Sequence, residues 1–76
     1  MSSAPIFVYT LPGCQPCRLT KAALKKAGIA YRETDLSTDP RGFEIVHELG
    51  YQQAPVVVAG DVSWSGYRPD QLAKLV

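Results

Sequence analysis

Cys14 and Cys17 are the two cysteines of the chain, separated by Gln15 and Pro16. Two thiols at this spacing can close and reopen a disulfide, so the chemistry to expect is thiol–disulfide exchange. An apolar run, Ile6-Phe7-Val8-Tyr9, precedes the pair, and a segment of helical periodicity, residues 19–27, follows it. Residues i and i+3 share one face of a helix, so the sulfurs can meet with little backbone movement. Cys14, just ahead of the helix, is expected among unpaired N–H groups at the positive end of the dipole. That setting favours thiolate over thiol and makes Cys14 the expected nucleophile. Cys17, one turn further in and less exposed, is the expected resolving thiol.

Two other uses of the pair compete with this one. A structural staple closing so short a loop would contribute only roughly 2 kcal/mol in the chain-entropy picture. A structural zinc needs four ligands. Beyond two thiolates the chain offers His47, on a separate expected helix whose outer face it should occupy. A cluster shared between two chains stays open, and it would make the protein a non-enzymatic iron–sulfur carrier dimer.

At 76 residues the chain is expected to form one domain, 1–76, near the lower size limit for unaided folding. Its hydrophobic fraction, 46%, suits a compact globule. Net charge is +1 with both signs interspersed, which argues against nucleic acid or an anionic membrane as the main partner. Met1-Ser2-Ser3-Ala4 carries no basic n-region, and no apolar stretch is long enough to span a bilayer, so neither signal peptide nor membrane segment is expected. The expected compartment is the reducing cytoplasm.

Several elements must position the cysteines. Residues 5–10 read as a central strand buried on both faces, ending in the turn Thr10-Leu11-Pro12-Gly13. Pro16 suits a first helical turn, and Gly28 a helix stop. Between them Leu19, Ala22, Ala23 and Ala27 make the expected inward stripe, with the lysines in solvent. Residues 29–36 read as a second, edge strand because of Arg32, Glu33 and Asp35. Ser37, Thr38, Asp39 and Pro40 start a second helix, expected to turn Phe43, Val46, Leu49 and Ile45 inward and to end at Gly50. Gly42 should weaken that helix. Residues 55–59 form the next buried strand, Gly60 and Asp61 a two-residue hairpin turn, and Val62-Ser63-Trp64 the return. Pro69 and Asp70 open a last helix with Leu72 and Leu75 inward. The order β-α-β-α-β-β-α predicts an α/β fold: a mixed four-stranded sheet flanked by three helices, of the thioredoxin/glutaredoxin-like kind.

The chain resembles the NrdH-redoxins, glutaredoxin-shaped proteins with thioredoxin-like activity, over nearly all of its length. The resemblance rests on the C-x-x-C pair, on Glu48-Leu49-Gly50-Tyr51-Gln52-Gln53-Ala54-Pro55-Val56, and on Trp64-Ser65-Gly66-Tyr67-Arg68-Pro69-Asp70. It implies a monomer carrying electrons from NADPH, through thioredoxin reductase, to the large subunit of class Ib ribonucleotide reductase. It also implies a Cys14–Cys17 redox disulfide with no bound cofactor, no metal and no dependence on glutathione. The thioredoxin-like fold implies a cis proline at Pro55 packed against the cysteines, which leaves the Ala54 backbone free to pair with an extended substrate segment.

The residues themselves support the separation from glutathione. That tripeptide carries carboxylates, and glutaredoxins usually place a lysine where this chain has Leu11. Leu11, Pro12, Pro16, Ala54 and Pro55 are expected to make an apolar apron suited to a protein surface. A glutathione-dependent glutaredoxin is the nearest alternative. The stretch 64–70 is expected to be mainly architectural, with partner contact secondary: a buried Trp64 N–H finding an acceptor, and Arg68 bonding carbonyls or Asp70. Gln15 and Pro16 depart from the Val-Gln common between the cysteines of the family. Proline before the second cysteine resembles thioredoxin, at about −270 mV. The potential is therefore expected on the reducing side of the glutaredoxin range, roughly −200 to −230 mV. Residues 5–10 hold no carboxylate to serve as a buried base for Cys17.

Overall fold

The computed structural model describes residues 5–75. Residues 1–4, where no signal peptide is expected, lie outside them. Four strands and three helices alternate in the expected order: β1 (Ile6–Thr10), α1 (Gln15–Lys26), β2 (Arg32–Asp35), α2 (Pro40–Glu48), β3 (Val56–Ala59), β4 (Val62–Ser65) and α3 (Pro69–Ala73). The sheet runs β2-β1-β3-β4, with β1 parallel to β2 and the other pairs antiparallel. Among the described residues no helix is long and apolar enough to cross a membrane.

Strand alternation sorts the core into two layers. Val8, Val57 and Trp64 stand opposite one another in register and pack with Leu24 and Leu72 on the side of α1 and α3. Tyr9 and Val56, the next register pair, pack with Val46 of α2 on the other side. β1 is thus covered on both faces, as an inner strand flanked by pairing partners must be.

The turns follow from local chemistry. Asp39 caps α2, its carboxylate accepting from the amides of Arg41 and Gly42, and Pro40 starts the helix. Both long helices end in a Schellman closure on a left-handed glycine. In α1, Gly28 (φ +73°) donates to the Lys25 carbonyl and Ile29 to that of Leu24. In α2, Gly50 and Tyr51 donate to His47 and Val46 in the same way. Gly60, at φ +66°, opens the two-residue hairpin that sets Ala59 opposite Val62.

Three expectations are corrected. The second strand covers only Arg32–Asp35, because residues 27–29 close α1 and Ile29 and Tyr31 pack onto the core as a lid. The buried stripe of α1 is Cys17, Thr20 and Leu24, whereas Leu19, Ala22 and Ala27 are exposed. The inward position of Cys17 sets the phase of the helix, and counting from it gives i, i+3, i+7. In α2 the buried residues are Gly42 and Val46; Phe43, Ile45 and Leu49 are exposed. Gly42 is therefore a point of close approach, since a Cβ there would lie 2.8 Å from Thr34 Cγ2.

One polar link ties α1 to the sheet beneath the cysteine loop. Glu33 Oε2 accepts from Lys21 Nζ and from the buried Thr10 hydroxyl, both at 2.9 Å. The hydrogen bond from Lys21, helped by that from Thr10, holds the Glu33 carboxyl below its usual range.

Leu24→Ala is expected to cost about 2–5 kcal/mol in urea unfolding, and Leu19→Ala less than about 0.5 kcal/mol. Equal costs would put the helix in the phase its apolar residues suggest. Gly42→Ala should destabilise by about 1–3 kcal/mol through overpacking, despite alanine's better helix propensity. Because the Glu33 carboxyl is depressed in the folded state, its stabilisation is complete above about pH 4.5 and is lost as pH falls through the folded value. Glu33→Gln should remove part of the stability difference between pH 7 and pH 3. The pair is partly exposed, which limits that effect to at most about 1 kcal/mol.

Candidate functional site

Cys14 is the N-cap of α1, in extended conformation (φ −93°, ψ 112°), and forms a disulfide with Cys17 at a Cα–Cα distance of 5.2 Å. Its carbonyl accepts from Arg18 N, the first intrahelical bond, while its sulfur accepts from Cys17 N at 3.1 Å. A sulfur thus stands where a Ser or Asp cap oxygen normally does, at the positive end of the dipole. Pro16 is accommodated in the first turn, and no acidic side chain competes there. Gly13, at φ +71°, makes the sharp entry from β1. Cys14 is half-buried and Cys17 is 2% exposed, so only the first sulfur can be approached from solvent.

The opposite wall comes from β3. Antiparallel pairing of Tyr9 with Val56 brings the end of β1 beside the start of β3, and the loop before β3 meets the cysteines. The Ala54–Pro55 bond is cis. Ala54 O lies 3.8 Å from Cys14 Sγ. In the disulfide this sulfur carries no proton, so the approach is a contact that a thiol could turn into a weak hydrogen bond.

The stretch 64–70 braces this loop. Ser65 Oγ donates to Gln53 O, and Gly66 N donates to Pro55 O, both at 2.8 Å. Arg68 grips Asp70 through two hydrogen bonds, which hold the Asp70 carboxyl below its usual range. Pro69 opens α3, and Tyr67 is exposed. Trp64 is buried as expected, yet its Nε1 finds no acceptor among the described residues. The indole packs in the apolar layer of Val8, Leu24 and Leu72.

Around the disulfide, Leu11, Pro12 and Gln15 are exposed, Pro16 and Ala54 half-buried. Pro55 is fully buried, so it supports the expected apron from beneath and is not part of its surface. The apolar surface instead continues into a groove of about 250 Å³ between α2 and the loop before β3. Leu11, Leu36, Phe43, Val46 and Tyr51 line it with His47, Gln52, Gln53 and Ala54, and no lysine or arginine is among them. Phe43 and His47 stack on its rim, their centroids 6.5 Å apart. Leu11 and Ala54 were expected at this surface, whereas the α2 side of the groove, Phe43 and His47, was not; the signal for it was an apolar set on α2 too wide for one buried stripe. No group of three His, Cys, Asp or Glu side chains among the described residues could hold a metal.

Comparison with known proteins agrees with this geometry. Residues 6–64 match the family model for glutaredoxin. The glutaredoxin-like protein NrdH of Escherichia coli strain K12 is 39% identical over 70 residues, covering 92% of this chain and 86% of its own. That of Lactococcus lactis subsp. cremoris is 37% identical over 70 residues, covering 92% and 97%. The solved structure of the E. coli NrdH-redoxin, a glutaredoxin-like protein with a thioredoxin-like activity profile, superposes with a TM-score of 0.91 at 38% identity, covering 95% of each chain. The thioredoxin-like protein BC3987 superposes with a TM-score of 0.86 at 30% identity, covering 93% of this chain and 99% of its own. The chain therefore belongs to the glutaredoxin family, among its NrdH-redoxins, and is a glutaredoxin-like thiol–disulfide oxidoreductase.

Proposed function

We propose that the protein is the dithiol electron donor of a class Ib ribonucleotide reductase, acting on its large subunit in the cytoplasm and regenerated by NADPH-dependent thioredoxin reductase. The observation that carries this reading is the half-buried sulfur at the helix cap, next to an apolar groove without cations. Such a groove suits a protein segment better than the doubly carboxylated glutathione. The redox disulfide is the whole redox apparatus, and the domain acts as a monomer without a bound cofactor.

In the forward direction the Cys14 thiolate, favoured by the first-turn N–H groups and dipole, attacks one sulfur of the client disulfide and expels the other as thiolate. The client segment lies extended along Ala54, whose backbone before Pro55 offers strand-like hydrogen bonds. Pro16 and Gln15 shape the near edge of the site, Leu11 and Pro12 its apolar lip. Cys17 then loses its proton and attacks Cys14 Sγ. The second client sulfur leaves and is protonated, and the Cys14–Cys17 disulfide closes. Two electrons pass to the client, whose sulfurs take up the proton lost by Cys17 and one from solvent, to which Cys14 gave its own on ionising. The reductase returns both electrons, reopening the disulfide. The stretch 64–70 holds the loop of Ala54 in place through Ser65 and Gly66.

Cys17→Ser should accumulate a mixed disulfide between Cys14 and the large subunit, visible on a non-reducing gel, and Cys14→Ser should abolish transfer. Unchanged turnover by Cys17→Ser would reject the assignment. Oxidised protein should be reduced by NADPH with thioredoxin reductase at least tenfold faster than by millimolar glutathione; the reverse order would make it a glutathione-dependent glutaredoxin.

A further inference from the structure

Thr20 is 0% exposed, and its hydroxyl has no hydrogen-bond partner among the described residues. A threonine inside a helix ordinarily returns its hydroxyl to a carbonyl of the preceding turn; this one does not. Leaving such a group unpaired in a core carries a substantial penalty, and none of the packing described above requires a hydroxyl at this position. Thr20 stands one turn after Cys17 on the same buried stripe of α1. Side chains on a helix lean towards its N-terminus, so the Thr20 side chain leans over the turn that carries Cys17.

We infer that Thr20 Oγ1 hydrogen-bonds the Cys17 sulfur once the disulfide has opened, which makes Thr20 a positioning residue for the buried half of the redox couple. The inference rests on the Cys14–Cys17 pair cycling between disulfide and dithiol. When a dithiol reductant opens the pair, the Cys14–Cys17 S–S bond breaks and one forms within the reductant. Two protons pass from the reductant's thiols to Cys14 and Cys17. A disulfide sulfur is a poor acceptor and has no proton to donate. The freed Cys17 sulfur can accept from the hydroxyl as thiolate or, as thiol, also donate to it. It can no longer stay at bonding distance from Cys14, and the buried side towards Thr20 is the side closed to water. The hydroxyl is thus unpaired in the oxidised protein and paired in the reduced one. Its presence therefore favours the reduced state and, in catalysis, the thiolate of Cys17, for which residues 5–10 supply no carboxylate.

The test equilibrates the wild type, Thr20→Val and Thr20→Ser with dithiothreitol and measures the oxidised fraction by thiol alkylation. Valine keeps the shape and removes the hydroxyl; serine keeps the hydroxyl. Thr20→Val should shift the equilibrium about tenfold towards the disulfide, equivalent to about 30 mV more negative, while Thr20→Ser stays within twofold of the wild type. Thermal melts should show Thr20→Val no less stable than the wild type when oxidised and less stable when reduced. Should valine fail to fold, Thr20→Ala gives the same comparison, its cavity being common to both redox states. A Thr20→Val or Thr20→Ala equilibrium within twofold of the wild type, or a Thr20→Ser shift as large as that of valine, would overturn the inference. Pairing of Thr20 with the other unpaired buried group, Trp64 Nε1, gives the first of these results, because that contact does not depend on redox state. A wild-type pair that cannot be cycled at all would instead bring down the underlying assignment.

Discussion

The site depends on the register of one strand pair. Cys14 follows β1 by four residues, and Ala54 precedes β3 by two, yet the two meet because Tyr9 pairs with Val56 in antiparallel sense. A slip of one residue would set Val56 opposite Val8 and turn Val57 to the face of Tyr9, moving the side chains of β3 into the wrong core layers. The layers forbid this. One takes Leu24, Trp64 and Leu72, the other Val46 under the close approach of Gly42 to Thr34. The sulfur–carbonyl distance at the site therefore inherits its definition from apolar packing on both sides of the sheet. A loop pair held only by its own hydrogen bonds would lack it.

On this frame, local interactions set the chemistry. The helix that buries Leu24 also ends its N-terminus on Cys14, so the dipole acting on the sulfur comes with the core-forming element itself. The loop facing it is secured from the far edge of the sheet by Ser65 and Gly66. Neither bond touches the disulfide, but both fix where Ala54 presents its carbonyl. The last helix begins immediately beyond, with Arg68 paired to Asp70 on the surface. Such an exposed pair contributes little to stability, and its part is to fix a direction of the chain.

Much of this was legible in the sequence, because it is written in residues with narrow conformational uses. Asp39 and Pro40 marked a helix start, Gly28 and Gly50 helix ends, Gly60 a hairpin, and Cys14 with Cys17 the redox pair; each stands where expected. What failed was the assignment of faces. Leu19, Phe43 and Leu49 are apolar but exposed, whereas Thr20 and Gly42 are buried. A helix this short offers too few apolar residues to fix its phase, and tertiary constraints fixed it instead: the inward Cys17 in α1 and the approach to Thr34 in α2. The groove was missed for the same reason. Phe43, which the expected phase had turned towards the core, lies on its rim instead.

The misplaced faces also explain why packing and redox chemistry cannot be separated in this chain. The buried stripe of α1 is Cys17, Thr20 and Leu24: a reactive sulfur, an unpaired hydroxyl and a core leucine on successive turns. In a chain of 76 residues, total stability of about 5–15 kcal/mol leaves limited room for an unpaired buried hydroxyl costing about 1–3 kcal/mol. A purely apolar stripe would pack as well and be more stable in the oxidised form. It would also leave the freed Cys17 sulfur in a wholly apolar setting, where the charged form needed for resolution is least favoured. The core of so small a redoxin is thus constrained by both redox states it must occupy.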